Sequence, residues 1–477
     1  MIRTRIAPAP TGKLHIGSAH TALFNYLFAK HHQGKFILRI DDSDAKRSRQ
    51  EYQKDIIAGL KWLNITWDEG PDIGGPYAPY IQSQSQKRYT PYLKKLLQTK
   101  HVYQCFCTPE ELKKQRREMA KKKLPPMYNG QCRDLTKPQK EKFLKQGRKP
   151  VIRFKVPGGK VEFSDPTRGT ITVDANTIGD FVLARSDGSP LLVFTTTIDD
   201  IAMKITHTIR GEDFINLVPR QILLFQALGK TPPVFAHLQF IYGPDGGKLS
   251  KRHGAESILE FKQQGYLPEA LLTFLAYLGW SYKDNSELLT INQLIKLFDL
   301  DKVQKGKPVF DIQKLDYFNA KYIRSLPVPK LVQLIKPFLK PKLSPEKLKQ
   351  ILPLIQERMV KLTDINHLTE YFVKPPKIDK KLILKESKLK AQATADYFKQ
   401  AADIIQSISP WSVEKIESNL HQLQEKSGLK PRPAFMTIRI AVSGRPATPP
   451  LFPILKIIGQ QEVIKRLTHA QKVLRKK

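Results

Sequence analysis

The sequence predicts an α/β domain built on a parallel sheet, interrupted by an α+β insertion and followed by an all-α domain. Three observations carry that expectation. Residues 1–100 alternate strand-like and helix-like segments, the pattern of parallel strands joined by crossover helices. Residues 102–181 break it with a basic helix and short β-prone runs, Val151-Ile-Arg-Phe-Lys-Val156 and Thr170-Ile-Thr-Val173. After Gly254 the apolar periodicity is helical to the end of the chain.

The first element is a short strand before Ala7. Pro8 and Pro10 remove two backbone donors and hold the preceding residues extended. Gly12 permits a turn, and from Ser18 the residues Leu23, Leu27 and Phe28 recur at helical spacing until Gly34. A strand, a tight turn and a helix N-terminus make a phosphate site, because free N–H groups and the positive end of the helix dipole point the same way. His15 lies in that turn and could donate to a phosphate oxygen. Gly17 clears the backbone for a flat base or a phosphate. For His15 alone an incidental turn residue is the blander reading; the glycines beside it favour the site.

Phe36-Ile-Leu-Arg-Ile40 reads as a buried strand running into the acidic turn 41–44, and residues 51–63 as a helix. Beyond the insertion, Pro190-Leu-Leu-Val-Phe-Thr195 is apolar and β-prone, and Asp199-Asp200 are expected to cap a helix. Thr206-His-Thr-Ile-Arg210 and Phe235-Ala-His-Leu-Gln-Phe-Ile-Tyr242 are further strands. The second empties into Gly243-Pro-Asp-Gly-Gly247, expected to be a mobile loop. Helices are expected at 267–278, 330–339, 345–362, 391–405 and 457–474. The expected divisions are 1–102, 103–185, 186–255, 256–326 and 327–477.

Of 477 residues, 80 are Lys or Arg and 44 are Asp or Glu, a net charge of +36. Solubility does not need that excess; a polyanionic partner accounts for it, against the blander alternative of a lysine-rich background. The longest apolar run, near 270–280, is too short to span a bilayer, and no secretory signal opens the chain. A cytoplasmic protein without a membrane partner is expected. The 3 cysteines, Cys105, Cys107 and Cys132, all lie in the insertion, an arrangement unsuited to disulfides.

Arg5-Ile-Ala-Pro-Ala-Pro-Thr-Gly-Lys-Leu-His-Ile-Gly17 resembles the first signature of class I aminoacyl-tRNA synthetases, and in detail the glutamyl-tRNA synthetases. Leu38-Arg-Ile-Asp-Asp-Ser-Asp44, Thr208-Ile-Arg-Gly-Glu-Asp213 and the second signature, Lys248-Leu-Ser-Lys-Arg-His-Gly-Ala255, keep the family's order. The resemblance implies a Rossmann-like catalytic domain, an insertion holding the acceptor end of tRNA and a C-terminal anticodon-binding domain. It implies ATP with Mg²⁺, glutamate, tRNA(Glu) with tRNA(Gln) as a second candidate, and a monomer. His15, Gly17, Lys248, Lys251, Asp213 and Phe214 would serve ATP and catalysis. Arg5, Ala7, Asp41, Leu192 and Arg210 would bind glutamate, the two arginines taking its side-chain carboxylate and Asp41 its ammonium. Mutual pairing of Arg5 with Asp41 is the structural alternative.

Arg358, in an expected helix, would read tRNA; a solvated helix face is the alternative. The cysteines resemble the family's zinc knuckle, with Tyr128 or Asp134 as fourth ligand; three free thiols are the alternative. The family commonly has Ser at Ala9, Glu at Asp41, Tyr at Leu192 and often polar residues at Val193 and Ile201; Leu192 and Ile201 cannot hydrogen-bond a substrate, so a drier pocket is expected, with glutamate binding weakened or the pocket reshaped. A non-catalytic or altered-specificity tRNA-binding paralogue is the other function compatible with these motifs.

Overall fold

The structure, a computed structural model, describes residues 1–123, 127–250, 257–282, 288–340 and 343–475. The chain forms two compact units, one of residues 1–263 and 268–318, the other of 264–267 and 319–477. Among the described residues no helix is long and apolar enough to cross a membrane.

In the first unit β1 (Arg3–Ile6) pairs in parallel with β2 (Lys35–Leu38), Arg5 opposite Ile37. The crossover is α1 (Ile16–His31), buried along Ala19, Ala22, Leu23, Phe24 and Leu27. Asn25 of α1 donates from Nδ2 to the Ile209 carbonyl (2.8 Å), while Thr4 Oγ1 donates to the Asn25 carbonyl (2.9 Å). One buried amide residue thus ties the helix to two strands, which satisfies backbone groups that burial would otherwise leave unpaired.

The insertion has two antiparallel pieces. β3 (Val102–Cys105), β4 (Val151–Phe154) and β7 (Val182–Ala184) form one sheet, and β5 (Lys160–Asp165) pairs with β6 (Gly169–Asp174) as a hairpin. The parallel pattern resumes with β8 (His207–Gly211) and β9 (Val234–Leu238), Arg210 opposite His237. β8 lies beside β1, where the Thr206 N–H donates to the Arg3 carbonyl at 2.9 Å.

Residues 190–195 depart from the expectation. Leu192–Ala202 is a helix, not a strand. Its β-branched threonines return their hydroxyls to the preceding turn, Thr196 to the Leu192 carbonyl and Thr197 to Val193, both at 2.7 Å. Phe194 and Ile198 then share a buried face at helical spacing. Asp199 and Asp200 are therefore not caps; they are buried near the C-terminal end of this helix.

The second unit is helical throughout its described residues. The helix expected over 345–362 ends at Ile355, two residues after Pro353, which has no N–H to continue the ladder. The helix expected over 457–474 is Gln460–Arg475, starting after Gly459, at φ +93°, which ends the preceding helix Leu451–Ile458.

Candidate active site

The turn after β1 delivers His15 as the N-cap of α1: its Nδ1 accepts the Ser18 N–H at 3.3 Å. That bond assigns the ring proton to Nε2, 3.0 Å from Ser18 Oγ. A Cβ on Gly17 would stand 3.2 Å from His15 Cε1 and Nδ1, tighter than ordinary contact, so glycine here keeps the imidazole in place. The ring edge is open to solvent, yet surrounding protein strips enough water to lower its pKa, and the Lys248 ammonium lowers it further.

Lys248 is thus within electrostatic reach of His15. The turn that carries it is a hydrogen-bonded hairpin: Gly243 N–H donates to the Gly247 carbonyl (2.8 Å) and Leu249 N–H to Ile241 (2.9 Å). Gly246, at φ +75°, closes this turn. Lys248 Nζ sits 3.6 Å from the Phe240 ring centroid. Past this turn the chain returns to the first signature, with Ile258 N–H donating to the Leu14 carbonyl (2.9 Å) and Lys13 paired to Glu260 (2.9 Å). Lys251 lies outside the described residues.

The charged end of the sheet holds Arg5, Arg39, Asp41, Asp200 and Arg210, all buried. Arg5 does not pair with Asp41. Its Nε and Nη2 donate to Asp200 (3.1 and 3.3 Å), which also accepts Arg39 Nη1 at 2.7 Å. Asp41 instead accepts Arg39 Nε at 2.7 Å; burial raises its pKa against that pairing. Arg210 is the exception among these cations. Its guanidinium meets neutral acceptors, His237 Nε2 at 3.3 Å and Gln221 Oε1 at 2.7 Å, and no carboxylate within ion-pair distance among the described residues. Burial, then the repulsion of Arg5, pushes its pKa down to about 9. An un-neutralised buried guanidinium is a receptor for an anion.

Asp213 and Phe214 follow β8 in the short turn Glu212–Leu217. The Phe214 ring lies 5.3 Å from the Arg210 guanidinium carbon, and the Asp213 charge partly offsets the lowering of Arg210. Ala7 directly follows β1, half-buried. Leu192 opens its helix and is 41 % exposed. Val193 packs in the apolar core with Phe194, Ile198 and Ile222, and the half-buried Ile201 lies against that core. Gln221 and His237 carry no signal in the sequence, Asp200 was expected only as a helix cap, and Arg39 only as part of the 38–44 motif. The i, i+2 spacing of Arg39 and Asp41 on an extended segment was the one available signal for Arg39.

In the insertion the Sγ atoms of Cys105, Cys107 and Cys132 lie within 4.8 Å of one another. Tyr128 Oη is 3.4 Å from Cys105 Sγ and 3.3 Å from Cys107 Sγ. Tetrahedral zinc with bonds of about 2.3 Å to sulfur needs ligand separations of about 3.8 Å, so this set fits. Hydrogen bonds from Cys107 and Cys132 hold Cys105 well below the usual thiol range, which favours a thiolate. Asp134 does not join the cluster; it pairs with Lys155 at 3.2 Å, 81 % exposed.

In the second unit Arg358 lies past the end of the α-helix expected over 345–362. It closes the 3-10 turn Gln356–Arg358 and donates to the Thr448 carbonyl at 3.0 Å, which Arg439 also meets at 3.1 Å.

This fold and site define a class I aminoacyl-tRNA synthetase. Residues 1–317 match the family model for class I tRNA synthetases (E and Q), catalytic domain, and 330–471 an anticodon binding domain; the chain belongs to that family. Its relatives carry a narrower name. A glutamate–tRNA ligase of Symbiobacterium thermophilum is 43 % identical over 98 % of this chain and 99 % of its own. Another, of Elusimicrobium minutum, is 42 % identical over 99 % of each. The crystal structure of a glutamate tRNA ligase from Elizabethkingia meningosepticum in complex with its amino acid superposes with TM-score 0.92 at 35 % identity, covering 99 % of this chain and 100 % of that one.

Proposed function

We propose that this chain is an ATP-dependent glutamate–tRNA ligase that works through the residues gathered above. In the first step a glutamate α-carboxylate oxygen attacks the α-phosphorus of ATP, and the bond to the β-phosphate oxygen breaks to release pyrophosphate. In the second a 2′- or 3′-hydroxyl of the terminal tRNA adenosine attacks the acyl carbon. AMP leaves on its phosphate oxygen, and the hydroxyl proton passes to that phosphate or to water. No covalent enzyme intermediate is needed, so orientation and positive charge carry the catalysis.

His15 Nε2–H turns from Ser18 to a phosphate oxygen. Lys248, with Lys251, neutralises charge growing on the departing pyrophosphate. Mg²⁺, carried by the triphosphate oxygens and water, supplies further charge neutralisation when bound. Arg210 and Arg5 take the glutamate side-chain carboxylate, and Asp41 its ammonium. The insertion holds the acceptor end of tRNA, and the ridge of Arg358 and Arg439 reads the far end. tRNA(Glu) is the principal partner and tRNA(Gln) the second candidate; a cytoplasmic monomer suffices.

One observation supports this above the others: the chain just beyond the second signature pairs with the first, Ser257 bridging to His15 and the Ile258 N–H donating to the Leu14 carbonyl at 2.9 Å. In glutamate-dependent ATP–pyrophosphate exchange, Lys248→Ala is expected to lower kcat about a hundredfold, the typical loss of one preorganised electrostatic donor, with little change in glutamate KM. Exchange at the wild-type rate would remove Lys248 from the mechanism.

Zinc held by Cys105, Cys107, Cys132 and Tyr128 would brace the insertion through three thiolates and one phenolate oxygen, with no part in the chemistry. Elemental analysis is expected to find about one zinc per chain, and chelation to lower Tm. Tyr128→Phe should loosen the ion and Asp134→Ala should not. Equal retention in both variants would exclude Tyr128 as a ligand.

A further inference from the structure

We propose that Asp165 and His237 are positioning residues for Arg210: a buried carboxylate fixes the imidazole tautomer, and the imidazole turns the guanidinium toward the substrate without neutralising it. The inference rests on the reading that Arg210 receives the glutamate side-chain carboxylate.

The geometry fixes each proton. Asp165 ends β5 of the insertion hairpin, its side chain fully buried. Its Oδ1 accepts the Thr167 N–H (2.8 Å) and hydroxyl (2.7 Å), leaving Oδ2 facing His237 Nδ1 at 2.8 Å. Burial alone would raise this carboxyl, but the His237 and Thr167 hydrogen bonds outweigh it and hold it ionised. An ionised carboxylate only accepts, so Nδ1 carries the proton. His237 Nε2 is then a lone pair, and Arg210 Nε–H donates to it at 3.3 Å. Arg210 Nη2 donates to Gln221 Oε1 at 2.7 Å and to the Phe214 carbonyl at 3.5 Å, and Gln221 is itself oriented by donation to Thr196 Oγ1 at 3.2 Å.

Neutral acceptors therefore hold Arg210 at both Nε and Nη2. A carboxylate in place of His237 would orient it equally well but would compete with the substrate's own charge. A protonated imidazole would lose its lone pair and repel the arginine. Burial and the Arg210 charge both depress the His237 pKa, consistent with a neutral ring. The arrangement follows the logic by which a buried Asp sets the tautomer of a catalytic His in hydrolases, here applied to an arginine that binds and does not react.

The test compares wild type with H237F, H237Q and D165N in glutamate-dependent ATP–pyrophosphate exchange. H237F is expected to raise glutamate KM about tenfold, the value of one charge-assisted hydrogen bond, and to leave ATP KM unchanged. H237Q, whose amide oxygen reaches the Nε2 position, should restore most of the affinity. In D165N the new amide donates to Nδ1 and drives the ring proton to Nε2, where it opposes Arg210 Nε–H, so KM should rise as in H237F. Nitrogen-15 NMR of labelled histidine should report Nδ1–H in wild type and Nε2–H in D165N. Should H237F fail to fold, D165N and H237Q decide the question. Unchanged glutamate KM in D165N, equal losses in H237Q and H237F, or the same tautomer in D165N and wild type would each overturn the inference. A wild-type chain that exchanges no pyrophosphate with glutamate would instead overturn the functional reading, while the tautomer measurement would still test the relay.

Discussion

Replacing Arg210 with Gln is expected to raise the glutamate KM about a hundredfold or more, the order of loss when one partner of a desolvated charge pair is removed. Arg210 is buried, and its hydrogen-bond partners His237 and Gln221 are both uncharged. A buried guanidinium without a counter-charge is unfavourable, and its pKa of about 9 records that cost. A substrate carboxylate removes it, so the arginine contributes more to binding than one already paired. Arg210→Lys should recover little, because an ammonium cannot match the fork that His237 and Gln221 orient. The ATP KM should stay near wild type. A small change in glutamate KM for the Gln variant would assign the substrate carboxylate to another cation.

Replacing Asp200 with Asn is expected to destabilise the first unit by about 3–5 kcal/mol, the typical result of breaking a buried ion pair from one side. Asp200 accepts from both Arg5 and Arg39 and is almost fully buried. Burial would raise its pKa, but the two guanidiniums more than compensate and hold it below the ordinary carboxylate value. Its stabilising contribution is therefore present at neutral pH and lost as pH falls through that lowered value. Asn leaves one acceptor for two buried cations and turns an amide donor toward them. Distance alone does not set this magnitude. The Asp44–Arg47 pair is equally short at 2.7 Å, but its side chains are 39 % and 74 % exposed. Asp44→Ala should leave Tm close to the wild-type value, because an exposed, solvent-screened pair contributes little. Thermal unfolding of both variants separates the cases; a D200N Tm equal to wild type would mean the buried network carries no net stability.

The parallel architecture was legible because strand and helix periodicities alternate over the first hundred residues, and the helical second unit because its apolar spacing is sustained. Residues 190–195 were misread because a short apolar run suits either element, and the threonine hydroxyls that satisfy the helix leave no periodic trace. The first-signature turn was local enough to identify. The charge network was not: Arg39 reaches Asp41 two residues on, but Asp200 lies 161 residues away. The Asp165–His237 bond spans 72 residues and joins the insertion to the central sheet, a contact no local spacing encodes. Arg358 falls in a 3-10 helix beyond the expected α-helix because Pro353 has no N–H to continue the ladder.

Charging of purified tRNA(Glu) by the full chain, with ATP and each amino acid in turn, is the most direct measurement. Glutamate should accumulate on the 3′ end as ATP is converted to AMP and pyrophosphate, with no comparable transfer of glutamine or aspartate. A chain that binds tRNA(Glu) yet charges it with nothing would be an RNA-binding relative without catalysis. Glutamine in place of glutamate would contradict the carboxylate-binding role of Arg210.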